Sequence, residues 1–123
     1  MKFVEIQNTQ QFDSLISSYQ HPILVYFTAT WCRPCFELQR MIEEKLQVSF
    51  GWIVAKINVD IEENEDIIAR HEISSIPSVF LYQNGDIVED KDAFFQGCNA
   101  EALTRMIELA NNNSPKPLYQ ASL

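Results

Sequence analysis

Apolar residues fall along this chain in two rhythms. Ile23-Leu24-Val25-Tyr26-Phe27, Trp52–Val59 and Ser78–Gln83 are near-continuous apolar runs of strand length, the second broken only by Lys56 and Asn58, and they read as buried strands. Lys2–Gln7 alternates Phe3 and Glu5 with Val4 and Ile6, a shorter strand. Between the strands the spacing turns helical. Phe12, Leu15, Ile16 and Tyr19 form the inner face of a helix that Asn8 and Gln11 open as a capping box and Pro22 closes. Phe36–Leu46 carries the same period, and Gly51 breaks it. The acidic run Asp60–Asp66 leads into a short helix ending Ile67-Ile68-Ala69-Arg70-His71, followed by a loop, Glu72–Pro77. Ala102, Leu103, Met106, Ile107 and Ala110 mark a last helix capped by Asn99.

Asn84-Gly85 is a hairpin signal, because both residues tolerate positive φ. The returning strand runs from Asp86 to Phe94-Phe95 across the polar patch Glu89–Asp92, where a bulge or loop is expected, and Gly97 closes it. The resulting order, βαβαβαββα, predicts an α/β fold. Its mixed central sheet has helices on both faces, the early strands parallel and the last pair antiparallel. The Asn-Pro stretch after Ala110 reads as a helix stop. Residues 1–111 are therefore one domain and 112–123 a loosely ordered tail. No internal repeat is present.

Composition narrows the function. At 123 residues and 46% apolar content the chain can bury one proper core. Nine basic against 17 acidic residues give a net charge of −8. Nucleic acid and anionic membranes are recognised through positive patches, so neither is an expected partner. The N-terminus has no apolar segment or cleavage site of a signal peptide, and no apolar run approaches a membrane span. Three cysteines are odd in number and too few for a secreted disulfide framework, so a reducing, cytoplasmic setting is expected.

Cys32 and Cys35 lie where the strand ending at Thr28 turns into the helix after Pro34. Proline suits a first helical turn, since its missing N–H would have no partner there. A spacing of three puts both sulfurs on one helix face. The first sulfur then meets the free N–H groups and positive end of the helix, which favour thiolate. CxxC can equally be half a zinc site. The remaining ligands on offer, Cys98, His21 and His71, have no paired spacing, so a redox dithiol is the reading and no metal is expected. His21 and His71 read as surface or capping residues. The Asp60–Asp66 run lacks the glycine and terminal glutamate of a calcium loop and reads as a solvated helix start. Trp52 belongs in the core, whereas Trp31 adjoins the first cysteine at an exposed turn. Pro77 removes a ladder donor at the mouth of a strand and suggests a special, cis bond after Ile76.

With these pieces in place, the chain resembles the thioredoxin family. The likeness runs from about Phe3 to Ala110 and is carried by Phe27–Cys35, Val54–Asp60, Ile76-Pro77-Ser78, Asn84-Gly85 and Gly97. It implies the thioredoxin fold and a monomeric thiol–disulfide oxidoreductase without a cofactor, acting on disulfide-containing protein substrates and drawing electrons from a thioredoxin reductase. By the same likeness Cys32 is the attacking nucleophile and Cys35 the resolving thiol. Trp31, Arg33, Pro34, Ile76, Pro77 and Gly97 line the groove, where a substrate strand pairs with the backbone just before the proline.

The departures from the family pattern are informative. Arg33 replaces a glycine, and a cation beside the thiolate should make the couple more oxidising than the ~−270 mV of thioredoxin. Tyr26 stands where the family buries an aspartate that relays the resolving thiol's proton. Arg40 replaces the proline that kinks the dithiol helix. Two further functions compete: a redox-inert binding or assembly module on the same fold, and a more oxidising oxidase or isomerase. Cys98, beside Gly97, has two readings. One is a small half-buried residue before the cap; the other is a regulatory thiol at the groove rim.

Overall fold

The computed structural model describes residues 1–47, 49 and 51–113. The elements are β1 (Lys2–Ile6), α1 (Thr9–Ser18), β2 (Ile23–Thr28), α2 (Arg33–Leu46), β3 (Ile53–Asn58), α3 (Glu65–Arg70), β4 (Ser78–Gln83), β5 (Asp86–Ile87), β6 (Phe94–Gln96) and α4 (Ala100–Asn113). Short 3-10 turns at Glu62–Asn64 and Lys91–Ala93 precede α3 and β6. In the sheet β1, β3 and β2 run parallel, β4 lies antiparallel to β2, and both β5 and β6 pair with the outer edge of β4.

The apolar runs are continuous because the central strands are covered on both faces. Successive side chains of β2 part company: Leu24 and Tyr26 join α2 and α4 over one face, while Ile23, Val25 and Phe27 join α1 and α3 over the other. Leu38, Ile42 and Leu46 bring α2 to the first layer; Phe12 and Ile67 bring α1 and α3 to the second. Lys56 interrupts β3 at little cost. Its ammonium lies 3.8 Å from the carboxylate of Glu5, its neighbour across the sheet, and 5.7 Å from the Phe3 ring centroid.

Asn8 caps α1, accepting from the Gln11 N–H at 2.8 Å, and the Gln11 side chain accepts in turn from the Gln7 N–H at 2.7 Å. Asn99 likewise accepts from the Ala102 N–H at 3.0 Å. The Asn84-Gly85 turn has φ of 58° and 86°, as its hairpin role requires.

The single returning strand expected after that hairpin is in fact two. Asp90 accepts from the Asp92 N–H at 2.9 Å and starts a 3-10 turn that buries Ala93 and splits β5 from β6. The last helix also runs to Asn113, past the stop expected at Asn111. Pro115 disfavours helical backbone only in the residue before it, which leaves the three asparagines free to continue α4. Of the tail 112–123, residues 114–123 lie outside the described residues.

Candidate active site

Cys32 is the N-cap of α2, with extended backbone, and Pro34 sits in the first turn. The Cys32 sulfur accepts from the Cys35 N–H at 3.3 Å, so it occupies the place where a capping oxygen normally satisfies a free helix donor. An anionic sulfur is favoured at that place, because the N–H groups and the helix dipole both point at it. The two sulfurs are joined in a disulfide with the Cα atoms 5.3 Å apart. Cys32 retains 5% of its surface and Cys35 none, so an incoming group reaches the first sulfur and not the second. Arg33, the first residue of α2, is exposed, as is Pro34.

Trp31 is 68% exposed and donates its indole N–H to Asp60 at 2.7 Å. Its ring shares a cleft of about 450 Å³ with Val59, Ile68 and the loop from Ile73 to Ile76. The Ile76–Pro77 bond is cis, as expected. Gly97, at φ 84°, donates its N–H to the Pro77 carbonyl at 2.9 Å and so ties the two groove loops together. Nothing lies within 4 Å of where a Gly97 Cβ would stand, so the backbone conformation, not crowding, is what favours glycine there.

Cys98 is exposed and corrects the half-buried reading. Its thiol faces the Glu37 carboxylate on α2 at 3.9 Å. Partial burial of the sulfur and the Glu37 charge push the thiol up, so it is a poorer nucleophile at neutral pH than a free cysteine. His71 is not a surface residue. It caps α3 as expected, but its ring is half-buried among Phe12, Phe27, Phe80 and Tyr82. Burial holds its pKa down. His21 is exposed and lies edge-on to Tyr19. Among the described residues no group of three or more His, Cys, Asp or Glu could hold a metal ion, and no helix is long and apolar enough to cross a membrane.

Two contacts of the site depend on packing that the sequence does not state. Tyr26 is fully buried and donates its hydroxyl to the Cys35 carbonyl at 2.6 Å, and burial pushes the phenol up. It therefore pins the first turn of α2 without offering a base. Asp60 lies in the acidic run expected to be solvated, yet it holds Trp31. The available signal was strand pairing: parallel β2 and β3 bring Thr28 opposite Asn58, so the segments leaving them emerge at one end of the sheet. Asn64, in the same acidic run, is fully buried and donates to the carbonyls of Ile6 and Asn58, both at 3.2 Å, stapling β1 to β3.

The comparisons with known proteins agree with this geometry. Thioredoxin of Rickettsia bellii is 33% identical over 104 residues, covering 85% of this chain and 92% of that protein. Mitochondrial thioredoxin of Mus musculus is 31% identical over 84 residues, covering 68% of this chain and 50% of the relative. The chain thus spans about half the length of the mitochondrial relatives it matches. Among solved structures, thioredoxin of Plasmodium falciparum superposes with a TM-score of 0.72 at 30% identity, covering 89% of this chain and 98% of that one. The thioredoxin family model matches residues 3–108. That match reaches from the first strand into the last helix and takes in the dithiol, the loops carrying Ile76 and Gly97 and all of the sheet but Lys2, and the chain belongs to the thioredoxin family.

Proposed function

We propose that this chain is a thiol–disulfide oxidoreductase that reduces disulfides in protein substrates through Cys32 and Cys35. The observation that carries the reading is the disulfide at the N-terminus of α2, with one sulfur reachable and the other sealed beneath it. In the reduced state the Cys32 thiolate attacks a substrate sulfur, forming a mixed disulfide and expelling the other substrate sulfur as a thiolate. Cys35 then gives up its proton and attacks Cys32, and the second substrate sulfur leaves. The substrate gains two electrons and the enzyme closes its disulfide.

Trp31, Arg33, Pro34, Ile76, Pro77 and Gly97 form the docking groove in this reading. The electron donor is a thioredoxin reductase and the setting a reducing compartment, the cytoplasm; the exposed free thiol of Cys98 supports that setting. A second reading, an oxidase or isomerase, is favoured by Arg33, whose cation at the start of α2 stabilises the reduced thiolate form. Two measurements separate them: insulin disulfide reduction with and without thioredoxin reductase, and the potential of the Cys32–Cys35 couple in a glutathione buffer. Reductase-driven turnover with a potential near that of thioredoxin, ~−270 mV, supports the reductant. No turnover with reductase, and a potential nearer the ~−120 to −180 mV of dedicated oxidants and isomerases, supports the alternative.

A further inference from the structure

The loop Glu72–Pro77 walls the cleft beside Trp31, and its start is fixed by the end of α3. Glu72 takes φ 51°, its N–H donates to the Ala69 carbonyl at 3.1 Å, and the Ile73 N–H donates to the Ile68 carbonyl at 3.3 Å. Those two bonds are the paired closure of a Schellman C-cap. His71, the residue before them, adds a tie through its side chain. Nδ1 lies 2.7 Å from the Ile67 carbonyl oxygen and Nε2 2.6 Å from the Tyr82 hydroxyl on β4. A carbonyl only accepts, so Nδ1 carries the proton; burial of the ring favours its neutral form, in which Nε2 accepts from the Tyr82 hydroxyl. Its centroid stands 5.9 Å from Phe12, 5.0 Å from Phe27, 4.8 Å from Phe80 and 5.8 Å from Tyr82.

We propose that His71, held as neutral imidazole between Tyr82 and the Ile67 carbonyl, is a positioning residue that fixes the groove loop Glu72–Pro77, so that its protonation loosens the substrate groove. The proposal rests on the oxidoreductase reading of that groove. Protonation makes Nε2 a donor facing the Tyr82 hydroxyl, which must turn its own proton away, and places a charge in a site walled by four aromatic rings. Among the described residues, the charged groups that act on His71, Tyr82 or Arg70 are Arg70 and Asp66 on α3, Asp13 on α1 and Asp86 opening β5, and Glu72 is next in the chain. Arg70 is engaged by Asp13 at 2.7 and 3.1 Å, and the rings that β2 and β4 set against the imidazole are Phe27, Phe80 and Tyr82. Burial pushes His71 down, the Ile67 carbonyl pulls it partly back, and Arg70 pushes it down again. The latched form therefore binds a proton more weakly than the loosened one, so the latch is intact above the ordinary imidazole value of about 6.5 and weakens as pH falls below it through the lower value of the latched ring.

The test is made on the full chain, oxidised, by NMR between pH 4.5 and 7.5, with parallel kinetics on insulin in the presence of dithiothreitol. The amides of Glu72 to Ser78 should titrate with the midpoint of the His71 ring, below 6.5. Tyr82→Phe should change that midpoint. In the kinetics, KM for insulin should rise as pH falls through that midpoint, with kcat following the dithiol alone, and His71→Gln should abolish the rise. Loop amides that stay still while His71 titrates, or a KM course shared by wild type and His71→Gln, overturn the proposal. Should His71→Gln fail to fold, the wild-type and Tyr82→Phe titrations decide. Absence of any insulin reduction sinks the oxidoreductase reading, while the amide titration still decides the latch.

Discussion

Cys32 and Cys35 are one helical turn apart and chemically unlike, and the difference is positional. The first caps the free N–H groups of α2 beside Arg33; the second is sealed under the helix. In the reduced protein Cys32 is expected to alkylate with a pKa below the free-thiol value of about 8.5, with the modified residue mapped by mass spectrometry. Preferential labelling of Cys35 would contradict this. Cys98 should alkylate with a raised pKa, and Glu37→Gln should lower it, because the carboxylate at 3.9 Å opposes the thiolate. An unchanged pH profile in Glu37→Gln would remove the carboxylate from the explanation. Tyr26→Phe deletes the hydroxyl that holds the Cys35 carbonyl and should cost about 1 kcal/mol in urea unfolding with an unchanged m-value. Tyr26→Asp should cost more, since it buries a carboxyl, yet speed release of the mixed disulfide by supplying a base. If release is no faster at pH 7, Tyr26 does not limit that step.

At the scale of elements, what was legible was what the chain states locally. The continuous run Ile23–Phe27, the caps Asn8 and Asn99, and the φ-positive pair Asn84-Gly85 each declare their structure within a few residues. What was hidden depends on partners far along the chain. His71 carries the same local signal as any helix-ending histidine, and only the packing of α3 against α1 and β4 reveals the aromatic box around it. The split of β5 from β6 is partly visible in the polar patch Glu89–Asp92, but nothing local marks Asp90 among its neighbours as the cap that sets it. Glu72 is another case, since a glutamate gives no sign that its φ will be 51°. Left-handed backbone costs a side-chain-bearing residue roughly 1–2 kcal/mol, so Glu72→Gly is expected to stabilise the protein by about 1 kcal/mol by thermal or urea unfolding. A destabilised Glu72→Gly would mean that the glutamate side chain contributes more than its backbone costs.

At the scale of the molecule, two apolar layers hold one sheet, and the dithiol sits where α2 meets the sheet's end. Leu38 and Ile42 are fully buried and anchor α2, which carries the dithiol, to the core. Leu38→Ala should therefore cost about 2–5 kcal/mol of stability. The fold class was readable because period-two and period-3.6 patterns alternate cleanly along the chain. The chemistry was readable because CxxC falls at a strand-to-helix junction. The groove is expected only through family resemblance, since Trp31, Ile76 and Gly97 lie in three separate loops. The central claim, that Cys32 attacks and Cys35 resolves, is tested most directly by trapping the intermediate. Reduced Cys35→Ser protein is mixed with insulin and the adducts are mapped by mass spectrometry. A one-to-one disulfide between Cys32 and an insulin cysteine, released by dithiothreitol and absent when Cys32 is also replaced by serine, is the result expected. No adduct, or an adduct carried by Cys98, would contradict the account.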